Sequence, residues 1–265
     1  MATNKETAAL GVRQYHINMV EGDVGDYVLL PGDPFRTDIV AKYLDDAQLV
    51  MHKREHKTYT GFYKGVRVSV TSTGMGCPST AIALEELANI GARVFIRLGT
   101  SAGLKAEVHP GDLLITTASM KNDGTSRMYV PECFPAAADL DLTYLLVRTA
   151  KEMAQGTPSA VHFGVTATDD AFYAETPEWI EKLVKLGCTN VEMESGAIFT
   201  ISHRRDLRSG CICACAANLN TGEEFFGKEN TVTPPAVELE TRVALETFYR
   251  YDQLRKNGGL LKPLD

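Results

Sequence analysis

Short apolar runs alternate along the chain with longer segments whose apolar residues recur at helical spacing. Turn-forming Gly, Pro, Asn and Asp residues bound most of the runs, which therefore predict strands, whereas the periodic segments predict helices. The predicted strands cover residues 27–30, 66–71, 94–98, 112–118, 162–168 and 211–218. The predicted helices cover residues 35–44, 80–90, 142–153, 195–203 and 236–254. Strands that alternate with helices indicate a sheet covered on both faces. The fold class is therefore α/β, a single-domain three-layer α/β/α architecture with a central mixed, mainly parallel twisted sheet.

Polar, glycine-containing loops follow the first three predicted strands. They are Pro31-Gly32-Asp33-Pro34, the Ser72 to Ser79 segment, and Gly99-Thr100-Ser101-Ala102-Gly103. In sheets of this type ligands bind outside the carboxyl ends of the strands. We therefore expect a ligand site where these loops meet.

Composition and length fit one globular domain over residues 1–265, with 44% hydrophobic and 23% charged residues. We expect flexible ends at 1–14 and 256–265. Lys and Arg number 27 against 34 Asp and Glu, which leaves no basic field for nucleic acid. The chain has neither a signal-peptide pattern nor an apolar run of about 18 residues, so we expect a cytoplasmic protein without a membrane partner. Its six cysteines should be reduced thiols.

Arg97 is the residue most indicative of a site, because it lies inside the apolar run 94–98. A buried guanidinium is costly unless a carboxylate or an anionic ligand compensates its charge. The adjacent Gly99 and Thr100 offer close backbone approach and a hydroxyl donor, which favours the ligand. Gly32 and Arg36, at the start of a predicted helix, form a second candidate anion site, although this motif alone favours a simple turn with a solvated arginine.

Two carboxylates, Glu192 and Glu194, flank Met193 just before a predicted helix. Such a carboxylate can bind a pair of hydroxyl groups. Alternatively, both residues complement the positive end of the helix dipole, and the residues alone favour this second interpretation. Cys211, Cys213 and Cys215 alternate and so share one face of a strand, where we expect small core residues rather than metal ligands.

Taken together, these motifs recur in a fixed order over most of the chain, from about Tyr15 to His203. The set resembles the nucleoside phosphorylase-I family, and within it most closely the bacterial-type uridine phosphorylases. The motifs are Tyr15-His16, Pro31-Gly32-Asp33-Pro34-x-Arg36, Arg54-Glu55, Ser72-Thr73-Gly74-Met75-Gly76-x-Pro78-Ser79, Phe95-Ile96-Arg97-x-Gly99-Thr100, Gly111-Asp112, Thr117-Ala118-Ser119, Phe172-Tyr173 and Glu192-Met193-Glu194-Ser195.

The resemblance implies a pentosyltransferase: inorganic phosphate, a substrate, attacks the anomeric carbon of a nucleoside and releases a free base and a pentose 1-phosphate. No organic cofactor is implied. Catalysis would rest on Arg36, Arg97 and Glu194. By the same resemblance, phosphate would be bound by Gly32, Arg36, Arg97, Thr100 and a neighbouring subunit's Arg54. The sugar would contact Met193, Glu194 and a neighbouring subunit's His16, and the base would lie near Phe172.

The family also implies assembly and a role in the cell. Sharing His16 and Arg54 across a contact would make a homodimer the active unit, and family members assemble further into hexamers. The expected role is nucleoside catabolism and nucleotide salvage. Glu55, the Met75 carbonyl and Ser79 match a potassium site of uridine phosphorylases, where a water molecule is the alternative occupant.

The base site departs from the family pattern. Uridine phosphorylases use a Gln-x-Arg pair where this chain has Thr176 and Glu178, and the purine branch uses an aspartate near the place of Asn218 or Asn220. A carboxylate cannot donate to uracil oxygens, and asparagine cannot deliver a proton. We therefore expect a nucleoside phosphorylase with uridine-like preference, and keep two alternatives: a purine or modified-base nucleoside phosphorylase, and a non-catalytic nucleoside-binding homologue.

Overall fold

A computed structural model of the chain describes residues 11–223, 231 and 233–264. Of the ends expected to be flexible, residues 1–10 and 265 lie outside the described residues. The described parts of both ends make contacts: Gln14 is buried, and the Pro263 carbonyl accepts a hydrogen bond from Arg208 Nη2 at 2.9 Å. The extent of the single domain stays a prediction.

The predicted strands and helices are all present, most of them extended by a few residues. The described strands are β1 (Tyr27–Pro31), β2 (Asp45–Lys53), β3 (His56–Tyr63), β4 (Val66–Thr71), β5 (Val94–Gly103), β6 (Leu113–Lys121), β7 (Ala136–Ala137), β8 (Val161–Thr168), β9 (Asn190–Glu192) and β10 (Arg208–Asn218). The described helices are α1 (Pro34–Ala41), α2 (Cys77–Asn89), α3 (Gly124–Tyr129), α4 (Leu140–Met153), α5 (Pro177–Lys185), α6 (Ser195–Arg204) and α7 (Thr233–Lys256). A single 3₁₀ turn covers Phe172–Ala174. The sequence did not predict β2, β3, β7, β9, α3 or α5.

All the strands join one mixed sheet. Strands β4, β1, β5 and β10 pair in parallel, in that order, and form its centre. Strands β5, β10, β6, β8 and β9 also pair in a closed ring, because β10 bonds to both β5 and β6 while β9 bonds to both β8 and β5. Antiparallel β2 and β3 extend the other edge. Within the described residues five strand pairs are parallel and five antiparallel, which confirms the mixed sheet. Three of the parallel pairs form the centre, and the other two join β6 to β8 and β8 to β9.

Each face of the sheet carries its own apolar core, which confirms the three layers. One core joins the sheet to α1, α4 and α7, and the other joins it to α2 and α6. Side chains alternate between the faces along a strand. Ile96 and Leu98 of β5 thus enter the first core and Phe95 the second, which places Arg97 on the side of Phe95. Cys211, Cys213 and Cys215 lie in the second core as free thiols, as the sequence predicted.

The parallel centre brings three loops together at the carboxyl ends of its strands. The chain leaves β1 at Gly32 and β4 at Gly74, and the Gly74 N–H donates to the Gly32 carbonyl at 3.0 Å. Gly74 has a φ of +73°, a conformation that suits glycine. Among the described helices, none has the length and apolar character needed to span a membrane.

Candidate active site

A cavity of about 1060 Å³ opens at this edge of the sheet. It brings together most of the residues that the sequence singled out. Its predicted members are Gly32, Arg36, Glu55, Met75, Ser79, Arg97, Thr100, Phe172, Met193 and Glu194. The anion-binding and hydroxyl-binding candidates therefore share one space, although they come from distant parts of the chain.

Arg97 lies at the floor of this cavity and is only 4% exposed. Its Nε donates to Glu192 Oε2 at 2.7 Å, and its Nη2 forms an ion pair with Glu194. Burial acts to lower the pKa of Arg97, but the carboxylates of Glu194 and Glu192 overcome that effect and hold the pKa well above its usual value. The sequence left open a carboxylate partner or an anionic ligand. The structure shows that carboxylates, those of Glu192 and Glu194, pair with Arg97, and that Arg97 also lines the cavity.

Glu192 holds Arg97 in place from β9. Its carboxylate accepts hydrogen bonds from the Glu194 N–H at 2.9 Å, the Ser195 N–H at 3.0 Å and Thr168 Oγ1 at 2.8 Å, besides the bond from Arg97. Those backbone N–H groups belong to the first turn of α6, where a carboxylate is favourable. The helix-terminus interpretation made from the sequence thus describes Glu192 well.

Glu192 and Glu194 both line the cavity, but their donors differ, because Glu192 accepts from the start of α6 whereas Glu194 accepts from the glycine loop before α2. The Gly76 N–H donates to Glu194 Oε1 at 2.6 Å, which ties the glycine loop before α2 to the start of α6. Burial raises the pKa of Glu194, and the charge of Arg97 opposes that shift. The result is a nearly buried carboxylate, fixed on one side by a backbone donor and on another by a guanidinium, beside Met193.

Arg36 reaches the cavity from the first turn of α1. The helix begins at Pro34, and the Asp33 carboxylate caps it by accepting from the Phe35 N–H at 2.9 Å. Gly32 precedes this cap, and a Cβ there would lie 3.2 Å from the Gly74 carbonyl oxygen. Gly32, Arg36, Arg97 and Thr100, the candidate anion-binding residues, therefore all line this one cavity.

Sequence reasoning missed the partner of Arg36. Arg36 Nη1 donates to Glu240 Oε1 at 3.1 Å, and Glu240 is fully buried in α7. The available signal was a carboxylate among apolar residues at helical spacing, here between Ala236 and Val243. Such a position predicts a buried charge that needs a partner.

His16 and Arg54 are not among the described residues that line the cavity of their own chain. The His16 Nδ1 and Glu86 Oε1 atoms are 2.6 Å apart, and the His16 backbone N–H also donates to Glu86. Arg54 is exposed at the turn between β2 and β3, with a φ of +56°. Neither residue belongs to the cavity lining, so their roles at a neighbouring subunit's site stay predictions.

Two of the three residues matched to a monovalent cation site are in contact. Ser79 Oγ donates to Glu55 Oε1 at 2.7 Å, and this hydrogen bond is the main reason that the pKa of Glu55 is lowered. Met75 is 84% exposed beside them. A carboxylate and a hydroxyl are suitable oxygen donors for a hard cation, so the donor set fits, and the potassium ion stays a prediction.

The residues matched to base recognition, apart from Phe172, lie outside the cavity lining. Thr176 is the N-cap of α5, accepting from the Trp179 N–H, and Glu178 is exposed in the first turn of that helix. The fully buried Asn218 donates through Nδ2 to the Val108 carbonyl at 2.6 Å, and Asn220 is exposed after it. Asn218 Oδ1 also accepts from the Asn220 N–H at 2.9 Å, so Asn218 is committed to holding this loop.

Glu175 is an acidic member of the cavity lining and lies three residues after Phe172, which also lines the cavity. The lining further includes the aliphatic Val191 and Leu219. Burial, with Asp169 as a smaller contribution, raises the pKa of Glu175 to about 7. Sequence reasoning missed Glu175 because it matched the neighbouring positions to the Gln-x-Arg pair, and burial next to a helix N-cap has no clear sequence signal.

Comparison with known proteins agrees with this geometry. A family model described as "Phosphorylase superfamily" matches residues 26–246. A uridine phosphorylase of Thermococcus kodakarensis is 40% identical over 259 residues, covering 93% of this chain and 90% of the relative. A guanosine phosphorylase of Halorubrum lacusprofundi is 37% identical over 212 residues, covering 80% and 86%. Among solved structures, Vibrio fischeri uridine phosphorylase in complex with 6-hydroxy-1-naphthoic acid superposes with a TM-score of 0.81 at 28% identity, covering 90% of this chain and 97% of that one.

The family match spans most of the chain and includes the residues that line the cavity from Gly32 to Leu219. The relatives, in turn, are matched over most of their own length. The resemblance inferred from the motifs is thereby confirmed, and the chain belongs to the phosphorylase superfamily.

Proposed function

We propose that this chain is a nucleoside phosphorylase, a pentosyltransferase that cleaves the N-glycosidic bond of a nucleoside with inorganic phosphate. One observation supports this most strongly. A single cavity joins the anion-binding set, Gly32, Arg36, Arg97 and Thr100, to the sugar-binding pair, Met193 and Glu194. A protein that only bound nucleosides would not need the anion set beside the carboxylate.

In the proposed reaction, a phosphate oxygen forms a bond to the anomeric carbon while the bond from that carbon to the base nitrogen breaks. The base leaves with the bonding electron pair. Arg36 and Arg97 would hold the attacking anion, and such positioning can remove much of the entropic barrier. Glu194 would accept hydrogen bonds from the sugar hydroxyls, and its charge would stabilise the positive charge that develops on the sugar.

Arg97 would link the two halves of the site. It contacts Glu194 directly, and Glu192 fixes its orientation through Nε. A guanidinium between the phosphate and the sugar carboxylate limits the repulsion between two negative groups that must act together. The intact pairing therefore supports a catalytic site.

The proposed substrate is uridine-like, as the named uridine phosphorylase relatives favour. A purine nucleoside is the second candidate, and one observation favours it. Glu175 is an acidic group beside Phe172 that can accept from ring N–H and exocyclic amino groups or, when protonated, donate to a ring acceptor. The guanosine phosphorylase relative agrees with that candidate.

We further propose a cytoplasmic homodimer as the active unit, with hexamers formed from it, acting in nucleoside catabolism and salvage. His16 and Arg54 would complete a neighbouring subunit's site, since both lie outside their own cavity. A potassium ion near Glu55 and Ser79 would stabilise that contact.

The test is initial-rate measurement of base release from uridine, thymidine, inosine, adenosine and guanosine, with and without phosphate. The proposal expects release only with phosphate, and fastest with uridine. Faster purine turnover would support the second candidate. Equal release without phosphate, or none from any nucleoside, would contradict the proposed phosphorolysis.

A further inference from the structure

The Glu240 carboxyl lies directly behind the anion-binding side of the cavity. Its side chain is 0% exposed, and one oxygen, Oε1, accepts from Arg36 Nη1 at 3.1 Å. The other oxygen, Oε2, is buried and has no hydrogen-bond partner among the described residues. A buried carboxylate with an unpaired oxygen is unfavourable, so the group calls for an explanation beyond a structural ion pair.

Within the described residues, few charged groups face Glu240 from the strands and helices that pack against α7. Arg36 approaches from α1 and Arg97 from β5, and the Ala214 backbone N–H of β10, like both arginines, acts to lower the pKa of Glu240. The charged side chains of β4 and α4, which also pack against α7, have recorded partners elsewhere. These are Arg67 on the Val24 carbonyl, Asp141 on the Leu261 N–H, Arg148 on Glu152, and Lys151 over the Phe163 ring. Arg250, on α7 itself, also pairs with Glu152.

Burial raises the pKa of Glu240 to about 8, although Arg36 and then Arg97 oppose the shift. Below that pH the carboxyl is mainly neutral, and above it the carboxyl is mainly charged. An anion in the cavity would compete with the charged form of Glu240 for the Arg36 guanidinium. The neutral form can still accept one hydrogen bond from Arg36, which keeps the guanidinium in position while leaving its charge available.

We propose that Glu240 is a positioning residue for Arg36, and that its carboxyl takes up one proton from solvent when a phosphate-like dianion binds. The inference rests on the proposed function, which assigns Arg36 to phosphate. The only bond formed at Glu240 is O–H. By taking up a proton, Glu240 would make the anion site less negative when the anion binds, although Glu240 itself does not contact the anion.

The probe is sulfate, because it remains a dianion over the whole range and its binding therefore reports on the titration of the protein alone. Sulfate affinity is measured by calorimetry on the full chain between about pH 7 and pH 9. If binding requires the neutral carboxyl, one-proton linkage weakens sulfate binding about tenfold across this range. Glu240→Gln keeps the hydrogen-bond acceptor without the charge, so it should give an almost constant affinity.

Glu246→Gln is the matched control, since Glu246 lies on the same helix but pairs with Lys64 at 2.6 Å. It should retain the tenfold change. The buried Glu194 also titrates above its usual range, so the difference between wild type and Glu240→Gln isolates the Glu240 contribution. An identical pH dependence in wild type and Glu240→Gln would overturn the inference.

A second measurement needs no variant, in case Glu240→Gln fails to fold. Sulfate binding to the wild-type protein near pH 8.5, in buffers of different ionisation enthalpy, gives the protons taken up per anion. The inference expects uptake of a large fraction of one proton, and zero uptake would overturn it. Phosphate-dependent base release with pH-independent sulfate binding would refute this inference alone, whereas base release that ignores phosphate would refute the proposed function.

Discussion

Replacing Glu194 by glutamine separates the catalytic role of this residue from its structural one. Glu194 is 4% exposed and has two fixed contacts, the Gly76 N–H at 2.6 Å and the Arg97 guanidinium. Glutamine has nearly the same shape and keeps an acceptor for Gly76. The substitution therefore removes a negative charge and replaces the acceptor that faces Arg97 by an amide NH₂, while the side-chain volume stays nearly the same.

The effect on stability should be small. Removing one partner of a buried ion pair costs about 3–5 kcal/mol when the other charge is left alone. Arg97 would not be left alone, because its Nε stays bonded to Glu192 at 2.7 Å. Burial also raises the pKa of Glu194, so its charged form is unfavourable in the fold. We expect the free energy of unfolding to change by less than about 2 kcal/mol, below the cost of an uncompensated buried charge.

The effect on turnover should be large. Removing one preorganised group that stabilises transition-state charge lowers kcat by about 10²–10³-fold, or about 2.7–4 kcal/mol. Because the sugar charge develops only as the base leaves, the loss should appear in kcat at saturating nucleoside and phosphate rather than in KM.

The assay pairs turnover with denaturant unfolding for Glu194→Gln and Glu192→Gln. Glu192 accepts from Arg97, Thr168 and backbone N–H groups of α6, so its replacement weakens several charge-assisted hydrogen bonds, each worth about 1.5–3 kcal/mol, and should reduce the free energy of unfolding more than Glu194→Gln does. Wild-type kcat in Glu194→Gln would refute the catalytic role. Equal destabilisation by both variants would refute the division between a structural and a catalytic carboxylate.

Three further predictions concern other parts of the cavity. Arg36→Ala should raise the KM for phosphate at least about tenfold, because it removes a charge-assisted contact worth about 1.5–3 kcal/mol, and an unchanged phosphate KM would contradict the anion site. Gly99→Ala should destabilise the fold by about 1–3 kcal/mol, because the new Cβ would lie 2.7 Å from Cys213 Sγ and 2.8 Å from Arg97 Nη2. A variant that unfolds at the same temperature as the wild type would contradict the close packing around Gly99. If Glu175 donates a proton to a purine, kcat/KM for guanosine should fall as pH rises through about 7, where Glu175 deprotonates, and Glu175→Gln should remove that decline; a profile identical to wild type would exclude the role.

The main elements of the fold could be predicted because their patterns are local. The apolar run of β5 and the periodic residues of α4 are visible without knowledge of their neighbours. Strand β2, Asp45–Lys53, was not predicted, because its residues are exposed or half-buried and apolar and polar positions do not clearly alternate along it. Strand β9 has only three residues and exists through pairing with β5 and β8, which the sequence does not show.

The candidate site was predictable where chemistry conflicted with its surroundings. An arginine inside an apolar strand needs a negative group to compensate its charge. Arg97 has such a partner in Glu192. The residues near the proposed base position were less predictable. The family pattern selected Thr176 and Glu178, whereas Glu175 is the residue that lines the cavity. Whether Glu175, Thr176 or Glu178 lines the cavity depends on where helix α5 begins. Because α5 begins just after Thr176, Thr176 caps the helix and Glu175 lines the cavity.

The most direct test of the central claim is to follow the phosphorus and the base together. The full chain is incubated with uridine and inorganic phosphate, ³¹P NMR measures pentose 1-phosphate, and chromatography measures free base. The account predicts equal amounts of base and pentose 1-phosphate, with neither formed when phosphate is omitted. Free base accompanied by free pentose, at a rate independent of phosphate, would contradict it, because water rather than phosphate would then be the nucleophile.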